Sequence, residues 1–256
     1  MKVRLKLKNF KYIKNPYPII IYQSFLDKEV CSQICDDIDS SEYFDDLVME
    51  GRYRINKGSK NFDTLVSSSK PLEEIYRFFN NINVFKNFYN IIFSKKKYKD
   101  FVPLIYTKQF NPNSFGEQKT TFTNLLKKKI LNFLFKPSIN LDLDFSKAKS
   151  GYNRVVHRDR ETRIISFLLY FNSASKKDGG QFEVYESFLK KNFPRFPEKK
   201  HLKMSRVFPI KSGQLIVFLS SPNSYHAAAK YLSKKKNRIF IYGSYSLDRE
   251  VSWIRN

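Results

Sequence analysis

Near residue 139 the hydrophobic pattern changes its period from 3.6 residues to 2. Leu141, Leu143 and Phe145 alternate with Asn140, Asp142 and Asp144, so one side of this stretch faces a core and the other faces away from it. Short apolar runs follow at 154–157, 163–172, 181–185, 206–210, 214–219, 225–229 and 238–246. Turn signals separate them, notably Lys177-Asp178-Gly179-Gly180, Lys211-Ser212-Gly213 and Ser220-Ser221-Pro222-Asn223. This punctuation predicts a mainly β core in which two sheets close over a central cavity, as in a jelly roll. The stretch 186–205 breaks the rhythm with Lys190-Lys191, Pro194, Pro197 and Lys199-Lys200, and reads as a basic insertion or lid.

The chain before residue 139 is different. Residues 3–22 contain apolar stretches ending in Ile19-Ile20-Ile21-Tyr22 and read as one or two strands. A helix follows, with Val30, Cys31, Ile34, Cys35 and Ile38 as its stripe. Residues 50–70 are rich in Gly, Ser and Lys and read as a loop. Pro71 starts a second helix carrying Leu72, Ile75, Tyr76 and Phe79 on one face. A third runs through Phe85, Phe88, Tyr89 and Ile92 and ends at Lys95-Lys96-Lys97. Residues 100–116 read as mixed strand and loop. Residues 117–136 read as a further helix, with Lys127-Lys128-Lys129 on its wet side and Pro137 as its stop. The expected organisation is a helix-rich, mixed α/β support region over 1–138, a β core over 139–248 and a tail over 249–256, α+β overall.

No run approaches the ~20 apolar residues of a membrane span, and no apolar leader follows the basic N-terminus. With only two cysteines, Cys31 and Cys35, the chain lacks the makings of a disulfide framework, which points to a reducing cytoplasm. The net charge of +23 would attract nucleic acid or other polyanions. An AT-rich codon bias, which favours Lys, Asn, Ile, Phe and Tyr alike, accounts for the same composition, so nucleic acid is not the favoured partner.

Two of the three histidines sit in one arrangement. His157 and Asp159 are two residues apart at a strand end, where alternate residues share a side. His226 opens a later strand. Two imidazoles and one carboxylate form the facial triad that holds Fe(II) and leaves three positions for a bidentate 2-oxo acid and O2. Arg238, on the last strand, supplies a guanidinium fork for the far carboxylate of that acid. Arg238, Phe240, Tyr242 and Ser244 share one face by period 2. His201, in the basic insertion, reads as solvated.

The surrounding segments keep a familiar order. Gly151 precedes His157-Arg158-Asp159. Ile164-Ile165-Ser166-Phe167-Leu168-Leu169-Tyr170-Phe171-Asn172, Gly179-Gly180-Gln181-Phe182 and Gly213-Gln214-Leu215-Ile216-Val217-Phe218 then lead to Tyr225-His226 and Asn237-Arg238. Over roughly 139–248 this set resembles the Fe(II)/2-oxoglutarate-dependent dioxygenases, in particular the prolyl-4-hydroxylase-like branch. The resemblance implies a double-stranded β-helix. It implies catalysis at His157, Asp159 and His226, with these same residues as metal ligands, and Fe(II), 2-oxoglutarate, O2 and ascorbate as the small molecules used. The implied reaction is hydroxylation of a peptidyl residue, prolyl-type, or of a small molecule, with release of succinate and CO2. The family's tyrosine nine residues before the first histidine is Ala148 here. Its contact with 2-oxoglutarate would pass to Tyr152 or Ser244, and Lys234-Lys235-Lys236 compete with Arg238 as the anchor. The nucleic-acid-demethylating branch carries a second arginine six residues after the first, where this chain has Ser244. The alternative class is a basic, nucleic-acid-binding or otherwise non-catalytic protein that keeps the fold. Oligomeric state is left open.

Overall fold

The computed structural model describes residues 3–44, 46–49, 51–94, 98, 100–104, 110–111 and 138–255. The helix expected over 117–136 and the Lys95-Lys96-Lys97 helix end lie outside the described residues. The chain begins with β1 (Phe10–Ile13), β2 (Ile19–Tyr22), α1 (Lys28–Asp39), β3 (Asp46–Met49) and β4 (Arg52–Asn56). Helices α2 (Lys60–Ser68), α3 (Lys70–Phe79) and α4 (Ile82–Ser94) follow, then the short β5 (Phe101–Pro103) and β6 (Phe110–Asn111). The C-terminal half holds β7 (Ile139–Ala148), β8 (Arg154–His157), β9 (Arg163–Tyr170), β10 (Phe182–Ser187), β11 (Leu202–Phe208), β12 (Leu215–Leu219), β13 (Tyr225–Ala228), β14 (Arg238–Leu247) and β15 (Trp253–Arg255).

From β7 to β14 the chain wraps between two sheets. The larger has the order β1-β2-β12-β9-β14-β7-β4-β3, with β6 beside β7. The smaller has the order β11-β10-β13-β8. Neighbours in both are antiparallel, apart from the parallel β6–β7 pair. A third, two-stranded piece pairs β15 with β5.

The period-2 pattern of the large sheet divides its side chains between two cores. Leu141, Leu143 and Phe145 of β7, Ile165, Phe167 and Leu169 of β9 and Ile241 and Tyr245 of β14 pack under the helices. Leu168, Tyr170, Ile216, Phe218 and Phe240 face the other way, toward Phe182 and Val184 of the small sheet. The helices present their stripes to the first core. Phe62 of α2 stacks on Phe145 at 5.5 Å, and Phe79 of α3 stacks on Phe167 at 4.3 Å with the rings 10° apart. Pro71 lies in the first turn of α3, as the sequence predicts, and Ser69 caps the helix by accepting from the Leu72 N–H.

The structure corrects two expectations. Residues 50–70 are not a loop but contain β4 and α2. In β4 the face opposite Ile55 is carried by Arg52 and Arg54, so an alternation of apolar and polar residues is hard to see. In α2 the stripe is only Phe62, Leu65 and Val66 among lysine, serine and asparagine. The insertion is also shorter than 186–205. β10 runs to Ser187 and β11 starts at Leu202, leaving 188–201 between them. β11 is an edge strand whose middle residues are exposed, so no buried alternation marks it.

Gly243 on β14 lies opposite Phe167 on β9, and a Cβ there would sit 2.2 Å from the Phe167 ring. The ring cannot retreat because Phe79 stacks on its other side. Gly243→Ala should therefore destabilise the fold by about 1–3 kcal/mol, the usual cost of overpacking a filled core. Urea unfolding measures it, and an unchanged midpoint would mean the Phe79–Phe167 stack yields freely.

Candidate active site

His157 ends β8 and His226 lies on β13, and the two are cross-strand partners in the small sheet. Their rings are 4.4 Å apart. Asp159 follows the end of β8. All three residues are buried, and one ligand atom from each lies within 4.8 Å of the others. His157 Nδ1–H donates to the Val155 carbonyl at 2.9 Å, and His226 Nδ1–H donates to the Ser224 carbonyl at 3.1 Å. These bonds fix both tautomers with Nε2 unprotonated. The His157 Nε2 lone pair accepts from Arg154 Nε at 3.3 Å, a contact that a metal bound there would replace. Burial pushes the His157 pKa down to about 2, with His226 and Arg154 adding to the effect. Burial likewise lowers that of His226, against the pull of Asp159.

Asp159 is held from four directions. Oδ1 accepts from the Tyr242 hydroxyl at 2.6 Å and from Arg163 Nη1 at 3.0 Å. Oδ2 accepts from the hydroxyls of Ser166 at 2.6 Å and Ser220 at 3.1 Å. Burial alone would raise its pKa, but Arg163, the two histidines and Ser166 hold it well below the usual carboxylate range. The donor set is thus two neutral imidazoles and one ionised carboxylate, which suits Fe(II).

Arg238 opens β14 and is only 1% exposed. Its Nη2 donates to the Tyr170 hydroxyl at 3.2 Å. The guanidinium lies 4.5 Å from the Phe240 ring centre, 5.2 Å from that of Tyr170 and 5.5 Å from that of Tyr152. Its Nε and Nη1 are buried and have no hydrogen-bond partner. A buried cation with unmet donors is costly, and an anion supplied by a ligand removes that cost.

Residues 143–245 match the family described as the 2OG-Fe(II) oxygenase superfamily. This stretch is a 2OG-Fe(II) oxygenase domain. The oxygenase uses Fe(II), 2-oxoglutarate and O2, and the triad and Arg238 have the chemistry to receive the first two. Among solved structures, the chain is similar to a prolyl-4-hydroxylase from Pseudomonas putida, with 15% identity over 89% of this chain and 91% of that one and a TM-score of 0.44. It is also similar to HygX from Streptomyces hygroscopicus with nickel and 2-oxoglutarate bound, with 7% identity over 89% and 82% of the two chains and a TM-score of 0.49. No curated protein matches the chain. No helix among the described residues is long and apolar enough to cross a membrane.

One cavity of about 410 Å³ in the oxygenase is lined by His157 and His226 together with Arg238, with Tyr152, Leu168, Phe182 and Phe240 in its walls. Lys234, Lys235 and Lys236 are not among its lining residues; Lys236 Nζ donates to the Ser173 carbonyl instead. Ser244 is not brought to Arg238. Its hydroxyl donates to Asp142 at 3.2 Å, in a neighbouring depression lined by Lys57 and Asp142. Tyr152 reaches Arg238 through its ring. The hydroxyl on the guanidinium belongs to Tyr170, which sequence reasoning passed over as one more aromatic of a buried strand. A signal was present: Ser166, Leu168 and Tyr170 share one face of β9, so two hydroxyls enter the space between the sheets, where each needs a polar partner.

Ser166→Ala should weaken metal binding by about ten- to a hundred-fold, the usual effect of removing a group that orients a ligand. Nickel titration of the folded variant measures this. Wild-type affinity would show that Tyr242, Arg163 and Ser220 suffice to hold Asp159.

Proposed function

We propose that the oxygenase hydroxylates a C–H bond of a peptidyl residue, prolyl-type, or of a small molecule, converting 2-oxoglutarate and O2 to succinate and CO2. The observation that carries this reading is Arg238: it has two buried donors without a partner and lines the same cavity as His157 and His226. In this reading His157, Asp159 and His226 hold Fe(II), which with 2-oxoglutarate supplies the oxidising chemistry. Arg238 and Tyr170 take the far carboxylate of 2-oxoglutarate, and Tyr152 and Phe240 fix the plane of the guanidinium. Arg163, Tyr242, Ser166 and Ser220 keep Asp159 ionised and oriented. Leu168, Phe182 and Phe218 limit water around the histidines.

The strand order of β7 to β14 supports reading the fold as a double-stranded β-helix over 139–248, with 1–138 as its support and 249–256 as a tail. The free thiols of Cys31 and Cys35 fit a reducing compartment, the cytoplasm.

Purified protein given Fe(II), 2-oxoglutarate and O2 should form succinate, and His157→Ala should not. Succinate formation equal in the two, with candidate substrates present, would sink the enzyme reading. Arg238→Ala should raise the 2-oxoglutarate needed for half-maximal rate by roughly tenfold or more, as loss of a charge-assisted fork does. Metal binding should be retained in that variant. An unchanged requirement would move the anchor elsewhere.

A further inference from the structure

The cavity is lined by Arg52, Arg54, Arg154, Arg160, Arg163, Arg195 and Arg238. The chain has 34 lysines and 13 arginines, yet none of the described lysines lines this cavity. Codon bias toward lysine cannot produce that selection. Guanidinium groups are chosen where a planar fork must meet oxyanions.

Several of these arginines already have partners. Arg52 and Arg54 lie 3.4 Å from the Asp144 carboxylate, Arg163 bonds Asp159, and Arg238 is assigned to 2-oxoglutarate. Arg154 and Arg195 remain without a carboxylate partner, although Arg154 Nε donates to His157 Nε2 at 3.3 Å. Among the described residues neither forms an ion pair with a carboxylate, and Arg195 Nε is buried without a hydrogen-bond partner. The two guanidinium groups lie 6.0 and 5.4 Å from the ring centre of Phe196, which itself stacks over the His157 ring at 6.3 Å. Arg160 lines the same cavity.

This wall is anchored. The Arg158 N–H donates to the Arg195 carbonyl at 3.0 Å, and Arg158 Nε donates to the Phe193 carbonyl at 2.8 Å. The Tyr225 hydroxyl donates to the Pro194 carbonyl at 2.9 Å. The insertion is thereby tied to the residue between His157 and Asp159 and to the one before His226. Nearby like charges, after burial, lower the Arg195 pKa. A bound anion relieves that repulsion.

We propose that the primary substrate carries a phosphomonoester, held by Arg154 and Arg195 with Arg160 beside them. Two forks from separate segments call for more oxygens than one carboxylate offers, and a phosphate supplies three with about two negative charges. The proposal rests on the hydroxylase reading, because it places the phosphate on the substrate rather than on 2-oxoglutarate.

Calorimetry on the full chain loaded with Ni(II) and 2-oxoglutarate, titrated with inorganic phosphate, tests it. Phosphate should bind at millimolar concentration or below, and Arg195→Ala should weaken it roughly tenfold or more. Arg195→Glu should abolish it, and Arg238→Ala should impair 2-oxoglutarate binding alone. If 2-oxoglutarate binds and phosphate does not, or if the Arg195 variants bind phosphate as wild type does, the phosphate site is wrong and the hydroxylase reading stands. Phosphate binding lost in Arg238→Ala would put the anion in the 2-oxoglutarate pocket and overturn the proposal. Failure of wild type to bind 2-oxoglutarate would overturn the hydroxylase reading itself. Succinate formation with a nucleoside monophosphate, a sugar phosphate or a phosphoserine peptide, each against its dephosphorylated form, identifies the source of the phosphate. No preference for any phosphorylated form over its partner would also count against the proposal.

Discussion

An ionised carboxylate inside a protein core must be surrounded by donors, and Asp159 obtains them from three neighbouring strands. Arg163 and Ser166 belong to β9, Tyr242 to β14, and Ser220 follows β12. These strands are adjacent in the large sheet. The two histidines belong to adjacent strands of the small sheet. The triad is therefore suspended between the sheets, with its carboxylate tied to one and its imidazoles to the other. The spacing of the sheets, set by Leu168, Phe182, Ile216 and Phe218 between them, sets the spacing of the ligand atoms. Removing one partner of such a buried charge commonly costs 3–5 kcal/mol, about a third or more of a typical domain's stability.

Arg163 and Arg238 are treated oppositely. Both begin strands of the large sheet, and both line the cavity. Arg163 has its anion built in, as Asp159. Arg238 has aromatic rings on its faces and one tyrosine hydroxyl, but its remaining buried donors are left unmet. The first arrangement contributes to a fixed site. The second leaves free energy to be recovered on binding, so an anion that fits should stabilise the fold as well as occupy it.

The parts legible in the sequence are those with a regular alternation or stripe of apolar residues: β7 and the stripes of α1 and α3 follow from period alone, and the turn signals between short apolar runs mark the strands after it. The triad was legible because histidine is rare here, and Arg238 because a buried cation on a strand demands an anion. β4 and β11 were hidden for opposite reasons: arginines face the cavity in the first, and the second is an exposed edge. Period 2 also reports the face of a residue but not its position along the strand. Ser244 shares a face with Arg238, yet six residues of strand separate them by about 20 Å. Tyr170 shows the converse. It meets Arg238 across two neighbouring strands from nearly seventy residues away, through a register that local pattern does not encode.

The charge of +23 has two components with different physics. The described lysines lie outside the cavity, and lysine charge at large gives a diffuse positive field that salt screens within about 8–10 Å. Such a field concentrates anions near the protein without selecting among them. Among the arginines that line the cavity, Arg154 and Arg195 lie against Phe196, and the buried Arg238 lies against Tyr152, Tyr170 and Phe240. A planar fork held against an aromatic face loses little freedom when it binds, so it discriminates by geometry. Codon bias can account for the first component. It cannot account for the second, because it would have put lysine there.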